Sequence, residues 1–370
     1  MKIYSSKTRI NSKELWWFLL NNNRGESNNG LMYAKSLSST YKNIFIQIKG
    51  SNPVAEQLSG LNLLIQYIQK KVTCIYVHGR GNIIFLIISK FLGLKSVLVI
   101  NDYMRYYDSD KKFTNKIKSF YHRSIHDVSL KLCEKFIFIS ETTFKKSPYS
   151  KNLQNRSSKD HEIIFPLPSY PPEEIKKENL PIIKETIDII IITGHTINKN
   201  YQFTLEILEK VSKLNKKNDQ SIFKFHIFGL NTKKISFDSK RNEAFNFYKI
   251  NTPMNHLINI HQKCEFFISL SNDEGFGIPL LDSILLGSFP IVSNIKSYNE
   301  IFNDKKSFIN KSLLIDMYDS ETIISKKIYN FIKINSNEAR INKQKMTISY
   351  KDIYKEIISE TKGKLSNLIK

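Results

Sequence analysis

Residues 266–303 constrain the fold of this chain more than any other segment: FFISLSNDEGFGIPLLDSILLGSFPIVSNIKSYNEIFN. The segment opens with an apolar, β-prone run, which is followed by a loop containing Gly275 and Gly277. Pro279 stands where a first helical residue would stand, because its missing N–H costs nothing there. After the helical stretch, Phe289–Val292 has the pattern of another buried strand. The segment therefore predicts a strand, a glycine loop, a helix and a strand, with free backbone N–H groups aimed at a point beyond the first strand.

Two carboxylates make this segment specific. Glu274 stands just before the predicted helix, and Asp282 lies in or just after its first turn, so both can face one small volume. The positive end of a helix holds phosphate, whereas carboxylates accept hydrogen bonds from hydroxyl groups. A nucleotide-sugar suits both, because its diphosphate is flanked by two polyhydroxyl groups. Either acid alone is also compatible with an ordinary core helix, and it is the whole pattern between two strands that favours a ligand site.

These residues resemble a family, the retaining glycosyltransferases of the GT-B fold, family 4 type (glycosyl transferases group 1). The family carries a glutamate, seven residues and a second acid in a setting like EGFGIPLLD, with Asp282 here in place of the usual second glutamate. The resemblance implies an α/β protein of two Rossmann-like, doubly wound domains that face a central cleft. It implies that Glu274 binds the donor sugar and Asp282 the ribose. It also implies donor contacts from the loop and the first helical residues: Gly275, Phe276, Gly277 and Ile278.

A second candidate segment is IDIIIITGHTINKN, residues 187–200. A strand, Gly194 and a short polar loop place Lys199 near a helix start, where its compact charge suits a departing diphosphate. On residue type alone, a solvated lysine at a helix start would be the favoured interpretation. The family usually has glycine-arginine here, followed after a few residues by a lysine and then glycine or asparagine. The resemblance therefore implies that Gly194, His195 and Lys199 contact the donor, with His195 in place of the arginine.

Weaker candidates lie in the first half of the chain. Gly30 is the best match to the family's glycine-rich loop beneath the diphosphate, although a plain surface loop explains it as well. Asn101 ends a predicted strand where related enzymes often carry a histidine beside the reacting sugar. Asparagine can donate to a sugar hydroxyl but cannot move a proton at neutral pH. His78 ends the preceding strand and is the other catalytic candidate, with an ordinary hydrogen-bonded histidine as the alternative.

The chain also contains a DxD sequence, Asp108–Asp110. In the GT-A fold such a pair holds Mg²⁺ or Mn²⁺ through oxygen ligands. A complete second nucleotide-binding domain argues against that fold here, and a solvated loop is the simpler interpretation. We therefore expect no metal and no cofactor other than the donor substrate.

The length of 370 residues suggests two domains. Apolar runs alternate with helical patterns on both sides of a proline-rich stretch, which predicts two parallel sheets with helices on both faces. Beyond Ser320 the chain is predicted to be helical. The predicted strands are Leu15–Leu20, Ile44–Ile48, Thr73–Val77, Ser96–Ile100, Phe136–Ile139, Ile163–Pro166, Ile187–Thr193, Phe223–Phe228, Phe247–Ile250, Phe266–Leu270 and Phe289–Val292.

The predicted divisions are an acceptor-binding domain (1–168), a linker (169–186), a nucleotide-sugar-binding domain (187–340) and a helical segment crossing back to the first domain (341–370).

The formal net charge of +22 calls for an anionic partner. The basic residues are spread through the chain, and no RNP-type motif, zinc finger or basic helical block accompanies them, so we expect no nucleic acid.

Three scattered cysteines argue for a reducing compartment and against a disulfide framework or structural zinc. No signal peptide or membrane-spanning run is visible. We expect a cytoplasmic protein that associates peripherally with the anionic inner face of the membrane.

The expected activity is transfer of a sugar from a nucleotide-sugar to a saccharide or lipid-linked saccharide, with retention of configuration, in bacterial surface polysaccharide biosynthesis. Three alternatives stay open at this point. A GT-B epimerase or hydrolase would consume the nucleotide-sugar without an acceptor. A non-catalytic protein would bind nucleotide without turnover, and a basic nucleic-acid binder would show binding that falls steeply with salt.

Overall fold

The fold is described from a computed structural model of the chain. The described residues are 2–5, 14–20, 33, 36–37, 42–48, 72–78, 83–101, 113–147, 150, 161–175, 185–218, 222–230, 243–248 and 252–369. The chain divides into two compact units, the first comprising Met1–Ser169 with Glu356–Lys370 and the second Tyr170–Lys355. The domain and linker boundaries given above stay predictions.

The first unit contains a seven-stranded sheet in the order β1-β3-β2-β4-β5-β6-β7. Strand β1 pairs antiparallel with β3, and the other neighbours are parallel. Helices α1 (Ile83–Phe91), α2 (Phe113–Leu132) and α3 (Glu141–Lys146) belong to this unit. The strands are β1 (Lys2–Ser5), β2 (Glu14–Leu20), β3 (Lys42–Ile48), β4 (Val72–His78), β5 (Lys95–Ile100), β6 (Lys135–Phe138) and β7 (His161–Ile163).

Apolar residues on β5 and β6 build the described core of the first unit. Leu98, Ile100 and Phe138 are fully buried there, together with Phe85 and Leu86 of α1. A parallel strand covered on both faces reads as a continuous apolar run, which is why KSVLVI is buried at five successive positions.

The second unit contains a six-stranded, fully parallel sheet in the order β10-β9-β8-β11-β12-β13. Helix α4 (Tyr201–Asn218) follows β8, α5 (Met254–Lys263) precedes β11, and α6 (Ile278–Leu285) connects β11 to β12. Helices α7 (Lys296–Asp304) and α8 (Glu321–Ile369) follow, and α8 continues into the first unit's portion of the chain. The strands are β8 (Thr186–Ile192), β9 (Ile222–Phe228), β10 (Phe245–Phe247), β11 (Phe266–Ser269), β12 (Phe289–Ser293) and β13 (Leu313–Ile315).

Helix α6 ends where helix α8 approaches the backbone closely. Gly287 has a φ of +81°, and a Cβ there would lie 2.8–2.9 Å from atoms of Met346, Asn342 and Lys343 on α8. The amide of Asn342 also donates to the carbonyl of Gly287 at 2.9 Å. Glycine is required at this helix end both for the positive φ and for the space.

The observed elements confirm the predicted alternation and correct several boundaries. The predicted strand Ile163–Pro166 is wrong in extent, because the strand is His161–Ile163 and the prolines that follow cannot donate to a ladder. The predicted strand Phe247–Ile250 is likewise displaced, since the observed strand is Phe245–Phe247. The predicted helical end of the chain is confirmed as α8.

Candidate functional site

The order of the second sheet locates the candidate site. The chain proceeds from β8 to β9 and β10 on one side, then returns to add β11, β12 and β13 on the other. The direction of strand order therefore reverses between β8 and β11, which are paired in parallel. Ligands in open parallel sheets bind outside the carboxyl ends of the strands at such a reversal. The loops that leave β8 and β11 carry Lys199 and Glu274, respectively.

Lys199 and Glu274 meet at this point although they are 75 positions apart. The Nζ of Lys199 donates to Oε1 of Glu274 at 2.7 Å, and the two side chains are 25% and 9% exposed. Ser271 donates to the same Oε1 at 2.8 Å. A partly buried cation and a carboxylate thus share one small volume, where the first suits a phosphate and the second suits sugar hydroxyls.

Hydrogen bonds between the two loops fix this arrangement. The backbone N–H of Asn272 donates to the carbonyl of Asn198 at 2.8 Å, and the Asn198 side-chain amide donates to the carbonyl of Asp273 at 3.2 Å. Asn200 ends the turn after Lys199 in the left-handed conformation, with a φ of +45°, and its amide donates to Asn272. Asparagine adopts this conformation more readily than most residues. The loops are therefore held together by backbone as well as side-chain contacts.

Gly277 is the N-cap of helix α6 and allows an aromatic ring to lie against it. Its φ is +110°, and a Cβ there would be 2.6 Å from Cε1 of Tyr298 on α7. The Tyr298 hydroxyl hydrogen-bonds with Ser269 at 2.7 Å and lies 3.4 Å from Oε1 of Glu274. Tyr298 thus connects the helix start, the end of β11 and the candidate sugar-binding carboxylate.

The same surroundings raise the pKa of Tyr298 well above its usual value. Burial is the larger cause and the neighbouring charge of Glu274 the second. The phenol therefore stays protonated at neutral pH and keeps a proton to donate. The sequence analysis did not single out Tyr298, although it follows β12, whose carboxyl end lies beside that of β11.

Of the remaining donor candidates, Gly194 and His195 lie in the loop between β8 and the turn that contains Lys199. A Cβ on Gly194 would meet no atom within 4 Å, so the loop is open there. The His195 ring packs edge-on against Tyr201, with 4.8 Å between the ring centroids. Phe276 is 2% exposed. The loop thus places a half-buried imidazole near the first turn of α4.

Asp282 lies within α6 and is only 3% exposed. Burial, and then the charge of Asp282, raises the pKa of Tyr170 and of Tyr350. The Asp282 carboxylate thus lies within electrostatic range of these two tyrosines. Its expected contact with a ribose stays a prediction.

The candidates of the first unit are only partly described. His78 is the last residue of β4 and pairs in register with Val99 of β5, after which Asn101 follows with 7% exposure. These two candidates thus end neighbouring parallel strands. The side chain of His78, the loop with Gly30 and the sequence Asp108–Asp110 lie outside the described residues.

The described part of the chain has neither a cluster of metal-binding side chains nor a membrane-spanning helix. Among the described residues, no group of three or more His, Cys, Asp or Glu side chains is arranged to hold a metal ion. No helix within those ranges combines the length and the apolar character needed to cross a membrane.

Comparisons with known proteins connect the second unit with one protein family. Residues 172–347 match the family described as Glycosyl transferases group 1. A comparison with curated protein sequences finds no match. Both acids of the candidate site, and Lys199, fall within the matched residues.

Solved structures resemble the chain over nearly its whole length. An E. coli structure described as trehalose-6-phosphate bound with UDP-2-fluoro glucose has a TM-score of 0.67 at 9% identity, over 97% of this chain and 99% of that one. WaaG, a glycosyltransferase involved in lipopolysaccharide biosynthesis, has a TM-score of 0.66 at 11% identity, over 95% and 99%. S. aureus TarM has a TM-score of 0.55 at 17% identity, over 84% and 58%. The fold is therefore the GT-B fold with two Rossmann-like domains.

Proposed function

We propose that this protein is a glycosyltransferase that moves a sugar from a nucleotide-sugar to a saccharide or lipid-linked saccharide acceptor, with retention of configuration. The contact between Lys199 and Glu274 at the reversal of strand order carries the proposal. A cation and a carboxylate thus lie together where parallel sheets bind ligands, which supports the proposal. The match of residues 172–347 to Glycosyl transferases group 1 supports the same activity.

The proposed roles follow from the charges of these groups. Lys199 and the backbone N–H groups at the start of α6 would stabilise the departing diphosphate. Negative charge develops on the diphosphate in the transition state, and positive groups that are already in position lower the activation free energy. Glu274 would accept hydrogen bonds from the hydroxyls of the donor sugar. Asp282 would bind the ribose, and Asn101 and His78 would line the acceptor side. The departing phosphate would help to deprotonate the acceptor, so the mechanism needs neither a protein nucleophile nor a metal.

The proposed setting is the biosynthesis of a bacterial surface polysaccharide on the cytoplasmic side of the membrane. WaaG, which shares the fold, is involved in lipopolysaccharide biosynthesis. The net charge of +22 suits an acceptor held at an anionic inner membrane surface.

Substitution of Glu274 tests the proposal. Glu274→Gln keeps the shape of the side chain but weakens its hydrogen bonds to sugar hydroxyls. Hydrogen bonds to charged groups contribute roughly 1.5–3 kcal/mol, so transfer should slow by about one to two decades or more. The assay measures release of nucleoside diphosphate with nucleotide-sugars and lipid-linked acceptors. Glu206→Gln, on α4 outside the site, is the matched control and should keep wild-type turnover.

Three outcomes contradict the proposal in different ways. Equal turnover by folded Glu274→Gln and wild type removes the assigned site. Turnover that needs no acceptor indicates the epimerase or hydrolase. Binding of nucleotide without any turnover, across the acceptors tested, indicates a non-catalytic protein.

A further inference from the structure

Four isoleucines lie exposed along one line of helix α8. Ile323, Ile334, Ile341 and Ile348 have exposures of 46%, 79%, 62% and 67%. Residues seven or eleven positions apart on an α-helix differ by only about 20° around its axis, so these side chains form a nearly straight row. At a rise of about 1.5 Å per residue the row is roughly 37 Å long. We call these four residues the isoleucine row.

The fold of the second unit does not need the isoleucine row for its core. The opposite face of α8 is already anchored by apolar residues that are fully buried, including Ile324, Ile328, Ile332 and Ala339. Single exposed isoleucines are common on protein surfaces, whereas four of them aligned on one helix face form a candidate interaction surface. The row is therefore available to a partner outside this chain.

Lysines border the isoleucine row. The nearest acids on α8 are already paired, Glu338 with Lys311 and Asp352 with Lys355 at 3.2 Å. Each residue of an α-helix is rotated by about 100° around the helix axis from the one before it. By this measure, exposed lysines lie on both sides of the row, within roughly 80° of it around the axis. They include Lys326, Lys333, Lys345 and Lys351. An apolar line with positive margins is the pattern of a helix face that lies in the headgroup region of an anionic membrane.

Charge distinguishes between two occupants, a second copy of this chain and an anionic lipid surface. A second copy would bring two sets of flanking lysines together, and a net charge of +22 on each chain opposes that association. An anionic bilayer would attract the same lysines while the isoleucines enter its apolar boundary. We propose that the isoleucine row and its lysines dock α8 onto the surface of an anionic lipid bilayer. This surface acts independently of sugar transfer, and its test needs no substrate.

The test measures binding of the full chain to phosphatidylglycerol vesicles and to phosphatidylcholine vesicles by co-sedimentation. The triple variant Ile334→Gln, Ile341→Gln and Ile348→Gln keeps good helix formers on α8. Burial of one isoleucine in the membrane strengthens vesicle binding by about tenfold. The triple variant should therefore bind phosphatidylglycerol vesicles at least about tenfold more weakly than wild type. Ile222→Gln is the matched control, because Ile222 is 54% exposed on β9 and should leave binding unchanged.

Each alternative has its own outcome. Wild-type protein should bind phosphatidylglycerol vesicles more tightly than phosphatidylcholine vesicles, and high salt should weaken the difference. The proposal is overturned if wild type does not bind phosphatidylglycerol vesicles, if it binds both lipids equally, or if the triple variant binds as tightly as wild type. Sedimentation velocity without lipid tests whether a second copy of this chain covers the isoleucine row instead. If wild type is a dimer and the triple variant is a monomer, the membrane proposal is also overturned.

Discussion

Replacement of Gly277 by alanine should destabilise the second unit strongly. The φ of +110° at this position is costly for any residue with a Cβ, by about 1–3 kcal/mol. The new Cβ would also lie 2.6 Å from the ring of Tyr298, which is 2% exposed and held by Ser269. Overpacking of this kind costs about 1–3 kcal/mol. We therefore expect a loss of about 2–6 kcal/mol in the free energy of unfolding.

Gly194→Ala is the matched control, because a Cβ there meets no atom within 4 Å and the expected change is within about 1 kcal/mol. The chain's two tryptophans, Trp16 and Trp17, belong to the first unit, so their fluorescence does not report on the second. Hydrogen exchange of peptides covering residues 266–303 is the appropriate assay. Equal protection of these peptides in Gly277→Ala and Gly194→Ala would refute this account of the loop.

Two further predictions concern histidines. If His195 replaces a phosphate-binding arginine, its ordinary pKa of about 6.5 should rise beside the donor diphosphate. Donor affinity should then weaken from about pH 6 to about pH 8, and the His195→Arg variant should show a flatter pH profile. An unchanged pH profile in the His195→Ala variant would contradict this role. Burial lowers the pKa of His126 in α2 to about 4, so the folded state binds its proton less readily than the unfolded state does. Stability is then complete above pH 6.5 and lost as pH falls toward 4, by about 2 kcal/mol at pH 5. Urea unfolding of the first unit, followed by tryptophan fluorescence, should show this loss for wild type but not for a folded His126→Gln variant, and the same loss in both would assign the acid sensitivity elsewhere.

Much of the fold could be predicted because the long parallel strands are buried on both faces and read as unbroken apolar runs. The strand, loop, helix and strand of residues 266–293 were predictable for that reason, with glycine and proline marking the turns. Strands β1 and β13 were missed, because four and three residues carry no periodicity that distinguishes a strand from a loop. Their pairing depends on the rest of the sheet.

The candidate site was predictable where topology alone determines proximity. Lys199 and Glu274 each follow a strand, and the carboxyl ends of neighbouring parallel strands converge. The contribution of Tyr298 was not predictable from residue type, since it depends on how α7 packs against Gly277 and Ser269. The hydrogen bonds between the loops at Asn198 and Asn272 likewise follow from tertiary structure and from no local pattern.

Donor binding under chelation tests the central claim most directly. Isothermal titration of the full chain with UDP- and GDP-sugars in EDTA should give saturable binding, because Lys199 and the start of α6 supply the positive charge. Lys199→Met should weaken that binding by at least about tenfold, since charge-assisted contacts contribute roughly 1.5–3 kcal/mol. Binding that disappears on chelation, or that Lys199→Met leaves unchanged, would contradict a metal-independent diphosphate site between β8 and β11.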